Sequence, residues 1–382
     1  MSKLRILELF GGIGACSKAL ERLGIEYEIA DYVEIDKYAV KSFNAMHGTN
    51  FEPQDICEWD KDIKVDLIMH GSPCQSISLA GLQHGADKGS GTRSSLMWET
   101  VRIVEKLKPK YVIWENVKNL LSKKHRHNFD AYLEVMESLG YTNYYQVLNA
   151  KDYGIPQNRE RVFTVSILNE PVLKIKTIHR NIVYEYQHFE FPPKQELKLK
   201  LKDMLEDEVD EKYYLSEKMI KYISATGTAN FKNSDCKINL DIARPLTTNQ
   251  NKRAGTTNYL CNDLPSNYDL NLKSKQKQLI SLIEKTNFEE GKVLNLDLYN
   301  QTTNENISQC LTEPHHNSQR LFDGYRIRKL TPCECWALMG FDKSDYDKVA
   351  KVNSNTQLYK QAGNSIVVNV LEAILKELLL NE

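Results

Sequence analysis

The chain has almost no net charge, no long hydrophobic run and no cysteines paired at metal-binding spacing. Its 50 lysines and arginines face 51 aspartates and glutamates, for a formal net charge of −1. The surface as a whole therefore lacks the basic footprint that many nucleic-acid binders display. No apolar run approaches the roughly 18 residues a membrane-spanning helix needs, and Met1-Ser2-Lys3 leads straight into a strand pattern rather than a secretory signal. A cytoplasmic protein with no membrane partner is expected. Eight cysteines in 382 residues include no C-x-x-C pair, which favours reduced thiols over a disulfide framework or a zinc site. Cys333 and Cys335 read as structural, and no metal is expected. No histidine stands in a motif that would make it the partner of a thiol hydrolase, and His70 reads as a packed residue.

What is present is enough apolar material, 41% of the residues, for a large domain with a smaller one beside it. Leu4 to Phe10 is a short apolar run broken by Gly11-Gly12-Ile13-Gly14. Ala15 to Leu23 follows with Ala19, Leu20 and Leu23 at helical spacing. This is strand, glycine turn, helix. A second strand, Glu28 to Val33, ends at Glu34, roughly twenty residues past the turn, where an acid can accept hydrogen bonds from ribose hydroxyls. The turn is too short for G-x-G-x-x-G, which argues against a pyrophosphate-bearing cofactor and for a smaller adenosyl one. Strands at Val65 to His70 and Tyr111 to Trp114, followed by helical patterns at Ser94 to Leu107 and Asn128 to Leu139, continue the alternation. A mainly parallel sheet covered on both faces results, with ligands at the carboxyl ends of its strands.

Four features converge on that rim: the Gly11 turn, Glu34, Cys74 and Glu115. Cys74 lies in Ser72-Pro73-Cys74-Gln75, just past the apolar run Val65 to Met69, where a thiol is poised to attack. The stretch from Ser76 to Arg93 carries four glycines, enough to hinge over a bound substrate. Glu115 ends the run Val112-Ile113-Trp114, and apolar neighbours would raise its pKa and let it act as a donor. Arg159 and Arg161 open the strand Val162 to Ile167, and strand alternation sends both to one face, suited to an anionic or carbonyl-bearing partner. Lys123-Lys124-His125-Arg126-His127 and Lys273-Ser274-Lys275-Gln276-Lys277 are the candidates for phosphate contact.

In this order the segments resemble the cytosine-C5 DNA methyltransferase family. Phe10-Gly11-Gly12-Ile13-Gly14 resembles its cofactor loop, Glu34 its ribose acid and Asp55-Ile56 its adenine-contacting pair. Gly71-Ser72-Pro73-Cys74-Gln75 resembles the catalytic loop, Glu115-Asn116-Val117 the acid motif, and Gln157-Asn158-Arg159-Glu160-Arg161 the paired-arginine motif. Arg328 to Pro332 with Gly340-Phe341, then Gly363-Asn364-Ser365-Ile366, resemble the last two blocks. Ala15, where a further glycine is common, and Ile77, at a place often aromatic, depart from the pattern without removing a reacting group.

The resemblance implies an α/β, Rossmann-like methyltransferase fold built from 1–185 plus 326–382, with a smaller target-recognition domain at 186–325. It implies S-adenosylmethionine as cofactor, leaving as S-adenosylhomocysteine, held by Phe10, Gly11, Gly12, Ile13, Gly14, Glu34, Asp55, Ile56, Pro73, Asn364 and Ser365. Cys74 would add to C6 of a flipped cytosine and Glu115 would engage N3. Arg159 and Arg161 would complete the site, Arg161 near O2. Gln75, Ser78, Lys252 and Arg253 would contact the substrate, the last two within the polar segment Thr247 to Asn258. Double-stranded DNA is the implied partner of a monomer, with a cognate restriction endonuclease as a companion. Two rivals stand: an RNA methyltransferase sharing every catalytic motif, which the long 190–323 stretch disfavours, and a catalytically silent DNA binder, which the intact Cys74, Glu115, Arg159 and Arg161 disfavour.

Overall fold

Short apolar strands become a parallel sheet only when helices cover both of its faces. The computed structural model shows this arrangement; it describes residues 3–73, 93–169, 187–214 and 327–380 together with the backbone of four short strands between 294 and 322. Strands β1 (Leu4–Leu9), β2 (Tyr27–Val33), β3 (Leu67–His70) and β4 (Tyr111–Val117) alternate with helices α1 (Ala15–Arg22), α2 (Lys37–His47), α3 (Met97–Leu107) and α4 (Arg126–Ser138). Then come β5 (Tyr141–Asn149), β6 (Gln157–Asn158) and β7 (Glu160–Leu168). The six-stranded sheet has the order β2-β1-β3-β4-β7-β5. β1 pairs in parallel with β2 and β3, β3 pairs in parallel with β4, and β7 runs antiparallel to β4.

Side-chain alternation shows how the two faces are filled. Leu7 and Leu9 of β1 and Val33 of β2 pack in one core with Met97, Val101 and Val104 of α3 and Phe129, Tyr132 and Met136 of α4. Between them Glu8 points the other way, and its carboxylate accepts hydrogen bonds from the backbone N–H and the hydroxyl of Ser17 on α1. Tyr32, beside Val33, likewise turns to α2, its ring stacked on Phe43 at 3.8 Å. α2 is capped by Asp36, which accepts from the Tyr38 N–H at 2.9 Å, and closed by Gly48 in the left-handed region at φ 66°.

By contacts within the fold, Met1–Leu148, Glu160–Lys194 and Val368–Glu382 form one unit, and Asn149–Arg159 with Gln195–Val367 form a second. In the first, helix α8 (Val368–Leu379) packs on α1. The second holds the antiparallel sheet β12-β11-β8-β9, formed by β8 (Leu294–Asp297), β9 (Thr302–Glu305), β11 (Arg320–Phe322) and β12 (Ile327–Lys329). There β6 pairs in parallel with β10 (Ser308–Gln309). It also holds helices α5 (Pro332–Ala337), α6 (Lys343–Val349) and α7 (Asn355–Asn364). This partition differs from the boundaries expected from sequence, because 149–159 and 327–367 pack with each other. The Gln157 amide donates to the Leu338 carbonyl at 2.7 Å. Thr331 and Glu334 form a capping box on α5, and the buried Glu334 carboxylate takes both Arg328 Nη atoms at 2.8 and 2.9 Å. Among the described residues no helix is long and apolar enough to cross a membrane.

Glu8 makes the fold pH-dependent. It is 2% exposed, and burial pushes its carboxyl up from 4.5 to about 7 against the lowering effect of the Ser17 and Cys16 bonds. The folded state therefore keeps a proton that the unfolded chain has released, so stability present below about pH 4.5 is lost as pH rises to about 7. The full loss amounts to about 3 kcal/mol. Glu8→Gln should flatten the thermal-melting profile over this window, and an unchanged profile would place the titration elsewhere.

Candidate active site

The carboxyl ends of β1 and β2 form a cradle lined by glycines. Phe10 turns the chain through a positive φ of 52°, and Gly12 and Gly14 follow at 55° and 79°. Gly14 is held twice, since a Cβ there would meet His47 at 2.5 Å as well as occupy a left-handed conformation. At Gly11 a Cβ would lie 2.7 Å from the Tyr32 ring. The Gly14 N–H donates to the Gly11 carbonyl at 2.9 Å and closes the turn, and the Tyr32 hydroxyl donates to the Gly12 carbonyl at 2.6 Å. Glu34 is tied to this turn: its carboxylate accepts from the Gly12 N–H at 3.2 Å and the Asp36 N–H at 2.8 Å. Burial raises the Glu34 carboxyl despite those bonds. The Ile35 N–H is a third backbone donor to this carboxylate, which keeps acceptor capacity for a ligand hydroxyl.

Two further observations define what this cradle accepts. In dinucleotide folds the helix after the glycine turn offers its first N–H groups to a pyrophosphate. Here the N–H groups of Cys16 and Ser17 go to the Glu8 carboxylate instead, so that anion site is filled by the protein itself. Beside Glu34, Ile35 is 68% exposed, an apolar surface suited to a flat base. The segment with half-buried Asp55 and buried Ile56 reaches the same edge, because the Gln54 N–H donates to the Glu34 carbonyl at 2.9 Å. The donor set fits an adenosyl group without phosphates.

The second cluster lies where β3 and β4 end. His70 pairs with Trp114 in the ladder, and the chain leaves β3 through Gly71, Ser72 and Pro73. The Trp114 indole N–H donates to Ser72 Oγ at 3.0 Å and the Asn116 amide to the Ser72 carbonyl at 3.4 Å. Cys74, Gln75 and Ser78 lie outside the described residues, as do Lys252, Arg253 and the Lys273–Lys277 cluster. Glu115, next along β4, meets Arg161 of β7 with Oε1 3.1 Å from Nε, the two side chains 12% and 16% exposed. His70 is fully buried, stacked on Trp114, and burial depresses its pKa to about 3, so it stays neutral.

Residues 4–380 match the family model of C-5 cytosine-specific DNA methylases. The chain belongs to this family. The methylase is 33% identical to the type II methyltransferase M2.ScrFI of Lactococcus lactis subsp. cremoris, with 98% of this chain and 99% of that one covered. To the orphan methyltransferase M.SPBetaI of Bacillus phage SPbeta it is 32% identical, with 99% and 98% covered. Among solved structures, a DNMT2 variant of Spodoptera frugiperda superposes with a TM-score of 0.63 at 20% identity, covering 98% of this chain and 99% of that one. At that identity the likeness shows the fold, a Rossmann-like methyltransferase sheet. The chain is thus an enzyme of the DNA (cytosine-5)-methyltransferase class, and DNA is its substrate.

The structure corrects the reading of the methylase's arginine motif. Arg159 and Arg161 were expected on one face of a continuous strand, but the ladder is interrupted at Arg159, between β6 and β7, so alternation does not carry across. Arg161 pairs with Glu115. Arg159 belongs to the second unit, where it is buried and its Nη2 donates to the carbonyls of Gly363 and Ser365 at 3.2 and 2.8 Å. Asn364, exposed, and Ser365, buried, lie in that unit too. Glu115 was expected against apolar neighbours and meets a guanidinium instead. In the basic cluster, Lys123 and Lys124 are exposed whereas His125 is buried.

From the sequence, Trp114 and Asn116 were named only as neighbours of Glu115 and given no part of their own, and Ile35 was not singled out. The signal for the first two was adjacency to Glu115 on a strand running on to Val117; for Ile35 it was an apolar residue directly after a carboxylate at a strand end. Glu34→Ala should weaken S-adenosylmethionine binding by roughly 1 to 3 kcal/mol, the scale for losing a charged hydrogen-bond acceptor. Calorimetry giving an unchanged affinity would remove Glu34 from the cofactor site.

Proposed function

We propose that the methylase transfers a methyl group from S-adenosylmethionine to C5 of a cytosine flipped out of a specific duplex DNA sequence, through a covalent bond between Cys74 and C6. The observation that carries this reading is the Glu115–Arg161 pair, with Glu115 between Trp114 and Asn116, the two β4 residues that bond Ser72 two positions before the thiol in sequence. A flipped base costs a few kcal/mol of stacking and pairing, which contacts to its edge offset.

Cytosine C5 is a poor nucleophile, and each residue has a part in changing that. The Cys74 thiolate forms a bond to C6, and the displaced π electrons move towards C5 and N3. Glu115 donates or shares a proton at N3, which accepts the density. Arg161 holds the Glu115 carboxyl in place and offers N–H groups to O2. A nearby cation also favours the thiolate over the thiol. Phe10 to Gly14, Glu34, Asp55, Ile56 and Pro73 would hold the cofactor, which would supply an electrophilic methyl group to C5 and leave as S-adenosylhomocysteine. After methylation the C5 proton passes to a base, the C5–C6 double bond re-forms, the sulfur leaves as thiolate, and N3 returns its proton to Glu115.

We further propose that residues 186–325 recognise the target sequence, with Lys252 and Arg253 among the side chains that touch DNA and Gln75 and Ser78 steadying the flipped base. The enzyme acts as a cytoplasmic monomer, and a restriction endonuclease of the same specificity accompanies it. The test is incubation of the purified protein and tritiated S-adenosylmethionine with duplex DNA or with tRNA, followed by mass spectrometry of the nucleosides and bisulfite sequencing of the DNA. 5-Methyldeoxycytidine at one short sequence is expected. Label confined to tRNA, or found as another methylated base, would overturn the reading.

A further inference from the structure

The loop between α2 and β3 is tied down by a carboxylate that takes no part in the methyl transfer. Asp31, on β2 and 3% exposed, accepts three side-chain hydrogen bonds from that loop. These come from Gln54 Nε2 at 3.1 Å, Trp59 Nε1 at 2.7 Å and Lys61 Nζ at 2.6 Å. Burial alone would raise this carboxyl, but the bonds from Lys61, Trp59 and Gln54 outweigh it and hold the pKa below the usual carboxylate value. Gln54 also donates to the Tyr32 carbonyl at 2.7 Å and, through its backbone, to the Glu34 carbonyl. From the far side Arg102 of α3 donates to the carbonyls of Ile56 and Trp59, both at 2.9 Å.

Asp55 and Ile56 sit inside this stitching, so what holds Gln54 and Trp59 also sets where the pair stands against Glu34. We propose that Asp31 is a positioning residue for the adenosyl end of the cofactor site, holding the Asp55-Ile56 loop beside Glu34 through Gln54, Trp59 and Lys61. This deepens the assignment of that edge to S-adenosylmethionine and rests on it. A carboxylate suits the task because three donors converge on two oxygens, an arrangement an amide cannot satisfy: asparagine would aim an N–H at one of them. Left without its acceptor, the loop would sample other positions, and each one costs affinity for a ligand that needs a single placement.

The test is calorimetric titration of the full-length protein, without DNA, using S-adenosylhomocysteine as probe. Wild type, Asp31→Asn, Trp59→Phe, Asp55→Ala and the double variant Asp31→Asn/Asp55→Ala are compared, with thermal melts in parallel. Asp31→Asn should weaken binding about ten-fold, and Trp59→Phe, which keeps an aromatic ring but loses the N–H together with the five-membered part of the indole, should do so by a smaller factor. In the Asp55→Ala background the effect of Asp31→Asn should shrink, since residues acting through one loop are not additive. If Asp31→Asn lowers the melting temperature so far that binding cannot be read, Trp59→Phe alone decides. Wild-type affinity in the variants while wild type binds the probe would overturn the positioning role, as would an undiminished effect of Asp31→Asn without Asp55. Failure of wild type itself to bind would overturn the cofactor assignment and this inference with it.

Discussion

Cys74→Ser is expected to abolish methyl transfer, with a loss on the order of 10^3-fold or more in kcat, the scale on which removal of a covalent nucleophile falls. The reason is ionisation. A cysteine thiol has a pKa of about 8.5, which a neighbouring cation lowers; a serine hydroxyl at neutral pH supplies almost no anion. Binding of S-adenosylhomocysteine should be unchanged, because the proposed site, made of the Gly11 to Gly14 turn, Glu34 and the Asp55-Ile56 loop, does not include the thiol. Duplex DNA with 5-fluorocytosine in its recognised site separates the covalent route from its rivals, since fluorine cannot leave C5 as a proton. Wild type should give a complex that survives a denaturing gel, and Cys74→Ser should give none. Normal turnover by the serine variant, or no adduct with wild type, would rule out addition at C6.

Where local pattern sufficed, the sequence was read well. The break in the apolar run after Phe10, the glycines and the helical spacing of Ala19, Leu20 and Leu23 are short-range facts, and β1, which ends one residue earlier at Leu9, the turn and α1 follow from them. Glu34 at the end of β2 was legible for the same reason. What local pattern cannot show is a partner distant in sequence. Strand β4 was expected to stop at Trp114, yet it runs to Val117 because β7 pairs with it, Glu115 opposite Phe163 and Val117 opposite Arg161. At the break, the Arg159 backbone N–H goes to Asn149 Oδ1 and its guanidinium to the carbonyls of Gly363 and Ser365, the latter about two hundred residues away. Glu8 reads as an oddity in an apolar strand until α1 is laid over it and its carboxylate is seen to cap the helix. The same distance hides Asp31, whose three donors lie beyond α2.

Glu115→Gln should retain cofactor binding and most of the fold while slowing turnover on the order of 10^2- to 10^4-fold, the usual contribution of a general acid or base. The amide has the size of the carboxyl and an oxygen that can still accept from Arg161, but it cannot take up a proton and pass it to N3, where addition to C6 builds up electron density. Because Glu115 and Arg161 pair at 3.1 Å and are mostly buried, removing the charge also costs stability. Between the small value of an exposed pair and the larger cost of breaking a fully buried one, roughly 1 to 3 kcal/mol is expected. The two effects are separable: melting temperature reports the second, and single-turnover methylation at saturating DNA and cofactor reports the first. Arg161→Ala should share the stability loss and, by freeing Glu115 to move, a smaller part of the rate loss. Single-turnover rates within a factor of two of wild type for Glu115→Gln would show that the pair braces β4 against β7 and takes no part in activating the base.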